Sequence, residues 1–383
     1  MKGTVKRLSH KSRWGQTPWT IDFHPEPAML PEQVDFAMIG GGFTGLSTAA
    51  WLRRLAPDKQ VAVFEAETLG AGSSGHTGGL SLAETAAGDL PGLGDVLAGF
   101  SSVLRDLDVT CDLTLPGVWE LDRVSPSTGT QVSWSDSGTL RVAREVPGGT
   151  VDPGKLVSGL ARSAAQQGAL LFENARVEDM NFGEWTTMHI RGKKVRAGDV
   201  LIATNASSLE LSELAGRGQP KFTLALATEP LTNAQLDVLG LASGKPFYTI
   251  DLPYLWGRLL HGNRIIFGSG LVHLRDWREL LTLDVESGEA ASLLSSLDRR
   301  VRGLHPALHD MRIDYRWGGP ILIAEEWRPV FARHPQSPRV VILGAYSGHG
   351  VALSVYLGSW AAEAMLQRRS LPAWNSAELP HPI

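Results

Sequence analysis

The chain has 383 residues, of which 20% are charged and 43% apolar, and its formal net charge is −4. Those proportions describe a globular protein with a sizeable core, and the acidic balance gives no reason to expect nucleic acid or an anionic membrane as partner. With Cys111 as its single cysteine, the chain can build neither an internal disulfide framework nor a thiolate metal site.

The first fifteen residues are basic and polar and lack the apolar core of a secretory signal; a cytoplasmic protein is the expectation. Val34–Ile39 is a short apolar run, the pattern of a strand covered on both faces. Phe43–Leu55 follows with helix-forming residues and stops at Pro57-Asp58, and Gln60–Glu65 reads as a second strand. This is a β–α–β unit with short connections. Asp152 and Pro153 open a further helix, as cap and first-turn proline, and Gly168 suits its end. Arg191–Lys194 reads as a polar hairpin turn, and Asp199–Ala203 and Arg339–Leu343 as strands of the first sheet. Val340–Ala362 carries no charged residue, but Gly344, Ser347, Gly348, His349 and Gly350 interrupt it. It reads as buried strand, glycine turn and buried helix rather than as a membrane span.

Gly40-Gly41-Gly42-Phe43-Thr44-Gly45 satisfies G-x-G-x-x-G directly after a strand and at the start of a helix. Gly40 permits the tight turn, Gly42 lets a diphosphate approach the backbone, and Gly45 lets helix and strand pack closely. The diphosphate would sit at the helix N-terminus, where free N–H groups favour negative charge. Glu65 stands twenty positions after Gly45, where an acid binds ribose hydroxyls. A second glycine-rich stretch, Gly70–Gly79, follows at once. A nicotinamide dinucleotide needs no such loop there, whereas FAD carries a ribityl chain and flavin past the diphosphate. No second G-x-G-x-x-G follows a strand elsewhere, so the flavin is expected to take its electrons from the substrate itself.

On these motifs the chain resembles the D-amino-acid oxidase superfamily of FAD enzymes, which includes glycine oxidase, sarcosine oxidase and γ-glutamylputrescine oxidase. Gly40–Ala49 resembles the superfamily fingerprint, and Gly72–Gly79 the flavin loop of the γ-glutamylputrescine oxidase branch. Ala197–Asn205 and Gly344–Ser354 are similar to the later FAD motifs, in the family's order and spacing. The resemblance implies an α/β fold in which a Rossmann-like FAD domain (1–86, 147–216, 325–383) is interleaved with an α+β substrate domain on an antiparallel sheet (87–146, 217–324). FAD would meet Gly40, Gly42, Phe43, Thr44, Gly45, Glu65 and Ala66 at the first turn. Along the loop it would meet Gly72, Ser73, Ser74, Gly75, His76, Thr77, Gly78 and Gly79. Val177, Ala203, Thr204 and Asn205 would face the adenosine side, and Gly344, Gly348, His349, Gly350 and Val351 the flavin side.

The implied activity is removal of a hydride from the carbon next to nitrogen of a small amine or amino-acid-like substrate, giving an imine that hydrolyses. Either O₂ or an electron carrier would serve as acceptor. The rival readings are a flavin dehydrogenase passing electrons to a carrier and a non-catalytic FAD-binding subunit of a complex. Tyr254, Trp256, Trp317, Tyr346 and His349 are the candidates for the pocket over the flavin, where a cationic amine can lie against a ring; the aromatics could equally fill the second domain's core. His76 is read as a non-covalent contact, with a covalent tether as the alternative. Where glycine oxidase has an arginine gripping the substrate carboxylate, this chain has Ile321, which points toward amines or N-alkylated substrates. Arg258, Arg316 and Arg328 are the arginines that could compensate. His305 and His309 are read as surface residues, and no metal site is expected.

Overall fold

The structure is a computed structural model that describes residues 12–123, 131–214 and 216–375. Regular structure begins with β1 (Gln33–Ile39), α1 (Phe43–Leu55) and β2 (Val61–Phe64). The chain then leaves this unit through α2 (Ser73–His76), β3 (Leu80–Leu82) and α3 (Val96–Asp106), and forms β4 (Val118–Asp122), β5 (Gln131–Ser135) and β6 (Thr139–Val146). It returns along β7 (Gly148–Thr150), α4 (Pro153–Gln166), β8 (Leu170–Phe172), β9 (Val177–Asn181), β10 (Thr186–Ile190) and β11 (Lys193–Ile202). The second excursion holds α5 (Leu209–Ser212), β12 (Gly218–Thr228), α6 (Asn233–Val238), β13 (Phe247–Thr249), β14 (Trp256–Leu259), β15 (Ile265–His273), α7 (Gly288–Leu304) and β16 (Ile313–Ala324). Finally β17 (Val330–His334), β18 (Ser337–Gly344) and α8 (Gly350–Met365) bring the chain back.

Two eight-stranded sheets result. In the first the order is β17-β18-β11-β1-β2-β8, and β18, β11, β1, β2 and β8 all run parallel. The apolar runs read as strands are these strands, buried on both faces because helices cover one side and the second excursion the other. Antiparallel β10 pairs with the first half of β11 through a turn at Arg191 and Gly192, both at positive φ, the hairpin foreseen from the polar run. The Asp152 carboxylate accepts the Lys155 N–H at the start of α4, and Gly168 closes that helix at φ +89°. Nearly every residue of α8 is buried, which accounts for the absence of charge along it up to Glu363 in its last turn.

The second sheet runs β16-β12-β15-β14-β13-β4-β6-β5. It is antiparallel throughout except where β13 lies parallel to β4, with Phe247–Thr249 against Trp119–Leu121. Those two strands come from different excursions, so no hairpin dictates their relative direction. One core packs α1, α3, α4 and α8 on the first sheet, through residues such as Met38, Leu46, Leu160 and Leu353. Another joins the opposite face, from Ala37 to Ile202, to β12 and α7 through Leu224 and Leu294. Because this second core bridges both sheets, it fixes the crevice between them. Among the described residues no helix is long and apolar enough to cross a membrane.

Candidate active site

The crevice is a single cleft of about 1230 Å³ that runs from the end of β1 across to the face of the second sheet. That exceeds the few hundred to 1,000 Å³ typical of a pocket for one small ligand. At its inner end the G-x-G-x-x-G turn takes the predicted form. Gly40 has φ +111°, and a Cβ there would lie 2.6 Å from the Ala203 carbonyl oxygen. A Cβ on Gly45 would overlap the Gly40 carbonyl oxygen. The start of α1 therefore abuts the end of β1, and Gly42, Phe43 and Thr44 at its first turn line the cleft. Ser74 Oγ accepts the Phe43 N–H at 3.0 Å. Glu65 accepts the Gly41 N–H at 2.7 Å and the Glu67 N–H at 2.9 Å. Burial raises the Glu65 pKa while these two bonds oppose it. The acid thus shapes the turn and still presents lone pairs to the cleft.

Three further loops meet the turn. Asn205, in the left-handed region at φ +48°, binds Ser73 Oγ through its amide nitrogen (3.0 Å) and accepts the Ala345 N–H through its oxygen (3.0 Å). Ser73 in turn donates to the Pro320 carbonyl at 2.6 Å. One side chain therefore ties the loops after β11 and β18 to α2, and through it to β16. The loop before α8 is held by Ser347, whose Oγ accepts the Ala324 N–H. His349 stands at the N-cap position of α8, and Gly348, Gly350 and Val351 line the cleft with it. A second helix N-terminus thus faces the same space. Burial holds the imidazoles of His349 and His76 below their ordinary pKa, so both are neutral near pH 7. The His76 Nδ1 lies 3.0 Å from the Gly72 carbonyl. That acceptor requires Nδ1 to carry the proton.

Across the cleft stands the second sheet. The Trp256 indole is clasped by Gly78 and Gly268, and a Cβ on either glycine would overlap it. Tyr254, 46% exposed, rises from a loop whose carbonyl groups are held by Arg300, itself paired with Asp136. Trp317 lines the cleft but is fully buried, edge-on to Trp19 and donating to the His76 carbonyl at 3.0 Å. Tyr346 is also largely buried, its hydroxyl 2.7 Å from Thr44 Oγ1. Of the aromatic candidates, then, Tyr254 and Trp256 offer surface to a ligand, whereas Trp317 and Tyr346 mainly brace the wall.

Nearly all the residues singled out in the sequence line this one cleft: Gly40, Gly42, Phe43, Thr44, Glu65, Ala66, Gly72, Ser73, Ser74, His76, Thr77, Gly78, Val177, Ala203, Thr204, Asn205 and the Gly348–Val351 turn. Gly45, Gly75, Gly79 and Gly344 lie behind it. The first three are glycine for packing, since a Cβ would run into the carbonyl oxygens of Gly40, Gly70 and Val151 respectively. None of the three compensating arginines reaches the cleft. Arg316 pairs with Asp298 and Arg328 with Glu326, while buried Arg258 sits under Gly79 with Asp152 and Asp112 as its neighbouring charges. His305 caps a short turn through Ala307, and His309 is exposed beside Asp310.

Several lining residues escaped the sequence reading. Trp14 belongs to a stretch taken as a polar terminus, yet it packs edge-on against His76 and Phe222, and residues 14–16 hydrogen-bond to the edge of β16. Tyr248 donates to buried Glu120 at 2.5 Å. Arg176, Thr223, His273 and Trp277 also line the cleft. No local pattern marks any of these, because each is placed by its neighbours in space.

The cleft fits an extended dinucleotide. Two helix N-termini and a buried acid converge on it, the turn glycines leave room only for backbone-to-ligand approach, and the Thr204 Oγ1 on its wall is buried without a hydrogen-bond partner. A buried hydroxyl in that state awaits a ligand atom or a water. Comparison with known proteins agrees. The model of a family described as DAO, FAD dependent oxidoreductase, matches residues 35–364. The chain is 27% identical to gamma-glutamylputrescine oxidoreductase of Escherichia coli, over 91% of this chain and 87% of the other. Its fold matches a glycine oxidase from Geobacillus kaustophilus with a TM-score of 0.73 at 17% identity, covering 92% of this chain and all of that one. An L-proline dehydrogenase from P. horikoshii matches with a TM-score of 0.70, also at 17% identity, covering 90% and 97%.

Proposed function

The chain belongs to the DAO family of FAD-dependent oxidoreductases, and on that premise we propose that it oxidises a carbon–nitrogen bond in a small amine or amino-acid-like substrate. The observation that carries this reading is the continuity of the cleft. One end has the glycine turn and Glu65, the other has the α8 N-terminus facing Trp256 and Tyr254, and no wall intervenes. A dinucleotide held by the glycine turn would have room for its redox ring beside the α8 N-terminus.

When bound, FAD supplies the two-electron acceptor for a hydride from the carbon next to nitrogen. The chain's own residues do the rest by position and charge. The first turn of α1 and the Ser74 hydroxyl, whose proton is not used among the described residues, would hold the phosphates. Thr204 and Arg176 flank the adenosine end. The N-terminus of α8, which lines the cleft, would offer partial positive charge to a reduced, anionic flavin. The Trp256 face and the Tyr254 ring give an amine an apolar, electron-rich surface to lie on and keep water from the reacting carbon. His349 and His76, neutral by burial, add hydrogen-bonding groups without repelling a cationic amine. No acid–base triad is needed: the amine gives up its proton to solvent, a hydride then leaves the carbon next to the neutral nitrogen, and the resulting iminium ion is hydrolysed by water.

The test is anaerobic mixing of the yellow holoprotein with secondary amines, polyamine derivatives and D- and L-amino acids, following bleaching of the flavin band. Bleaching by at least one amine is expected. Silence across the whole panel, with FAD demonstrably bound, would refute the reading in favour of an FAD-binding subunit. Re-oxidation of the bleached protein by air or by an added carrier then identifies the acceptor.

A further inference from the structure

We propose that Tyr248, backed by the buried carboxylate of Glu120, takes the proton that the substrate's ammonium must lose on its way to solvent before a hydride can leave; this rests on the amine reading above. Tyr248 on β13 lies directly opposite Trp256 on β14 and Glu120 on β4, and Glu120 lies opposite Arg144 on β6. Residues opposite one another on neighbouring strands share a face of the sheet, so the four side chains form one row across four strands. Phe247 and Leu121, their neighbours in sequence, turn to the other face and join the core with α7. The row starts in the cleft, where Trp256 and half-buried Tyr248 line the wall. It ends at the surface with Arg144, whose side chain is 64% exposed.

Glu120 is only 2% exposed. Both of its oxygens accept N–H groups of Arg144, and Oε1 also accepts the Tyr248 hydroxyl at 2.5 Å. Burial and that bond push the Tyr248 pKa above its ordinary value, so the side chain stays a phenol. Its proton is committed to the carboxylate, which leaves the Oη lone pairs as acceptors for a ligand. An ammonium fits, because it brings only donors and the carboxylate behind the hydroxyl attracts its charge. Glu84, from the loop after β3, and Tyr254 are the other titratable groups beside Tyr248, with Asp89 near Glu84. At neutral pH a free amine, with a pKa of about 10, carries a proton and has no lone pair from which to form a carbon–nitrogen double bond. The substrate N–H bond breaks as its proton passes to Tyr248 Oη, and the Tyr248 O–H bond breaks as that proton passes to Glu120. No electrons change hands, and the amine is left neutral. Glu120, held in place by Arg144, then returns the proton to water. Tyr248 is the catalytic residue in this step, and Glu120 acts through it as a positioning residue.

The first test uses the FAD-bound protein and tert-butylamine, which has no hydrogen on the carbon next to nitrogen and so cannot reduce the flavin. Calorimetric titration at neutral pH, in buffers of differing ionisation enthalpy, counts the protons released on binding. The wild-type protein should release a proton, and Tyr248→Phe should release almost none. Should Tyr248→Phe fail to hold FAD, Glu120→Gln carries the same comparison, since it keeps an acceptor but cannot take up the proton. Uncharged tert-butanol should release none from any of them. No release by the wild-type protein, or a release that survives in the variants, overturns the proposal. The second test follows flavin bleaching by N-methylbutylamine, putrescine and D-alanine across pH. With any that bleaches, Tyr248→Phe should slow reduction by ~100-fold near pH 7. That deficit should shrink about tenfold per pH unit above this, as more of the amine arrives already neutral. A deficit that stays constant with pH marks a merely structural tyrosine and overturns the proposal. Silence from the whole amine panel, with FAD bound, sinks the enzyme reading, while the calorimetric arm still reports on Tyr248.

Discussion

One side of the cleft is built on backbone turns: Gly40 and Gly42, the start of α1 and the turn before α8. The opposite side is lined by Trp256 from β14, Tyr254 from the loop before it, Ile321 from β16 and His273 from β15. The first wall is intolerant because its tightness lies in the main chain itself. The second is tolerant in kind but exacting in placement, because each side chain is held by another, as Gly78 and Gly268 hold Trp256. A wall of main chain binds what every member of a dinucleotide-dependent family needs, and a wall of side chains is where a substrate is told from its neighbours.

The comparison can be broken most sharply at Gly40. In Gly40→Val a branched side chain is forced onto a φ of +111° and against the Ala203 carbonyl. FAD affinity should fall by ~100-fold or more, and stability by on the order of 1–3 kcal/mol, read by FAD titration and by denaturant unfolding. The counterpart on the other wall is Gly268→Ala, whose Cβ overlaps the Trp256 indole. Displacing that ring should lower kcat/KM by about 10–100-fold, with FAD affinity nearly unchanged. If instead both variants lose FAD together, the two walls are one cooperative unit and the distinction fails.

A smaller effect tests the seam between α1 and the turn before α8. Tyr346→Phe and Thr44→Val each remove the same buried 2.7 Å hydrogen bond and should each lower stability by about 1 kcal/mol. The double variant should fall short of the sum, because the second change has no bond left to break.

The mildest effect is with pH. Burial lowers the pKa of His76, His349 and His334 in the folded chain. A histidine whose folded pKa is depressed takes up its proton more readily when unfolded. The stability it contributes is therefore fully present above the ordinary histidine pKa of about 6.5 and is lost as pH falls below it. The Tm of the apoprotein should accordingly drop between pH 7 and 5, and His349→Asn should flatten part of that slope. His334 is buried on β17 outside the cleft, so its share should persist when FAD is bound.

Both walls also differ in how far the sequence displays them. The glycine turn, Glu65, the Ser73–Thr77 loop and the Gly348–Val351 turn each occupy a few consecutive residues, and their chemistry depends on local backbone geometry. Glycine spacing between a strand and a helix is enough to announce it. Trp14 and the Tyr248–Glu120 pair carry no such announcement. The two members of the pair lie 128 positions apart and become neighbours only through the register of β13 and β4. Tyr346 and Trp317 show the converse. Their place in or beside a motif marked them as pocket residues, but depth within the packed wall decides how much of each ring a ligand can touch.

The sequence by itself determined the β–α–β unit, the helix starts at Phe43 and Asp152, and the family of cofactor, because strand burial, caps and phosphate-binding turns are written within ten or twenty residues. Tertiary structure alone decided that the chain's two excursions form one sheet with a single parallel pair, and that residues 14–16 run along the edge of β16. Those outcomes depend on strand order and register, and register is set by the packing of whole faces against one another rather than by any stretch of sequence.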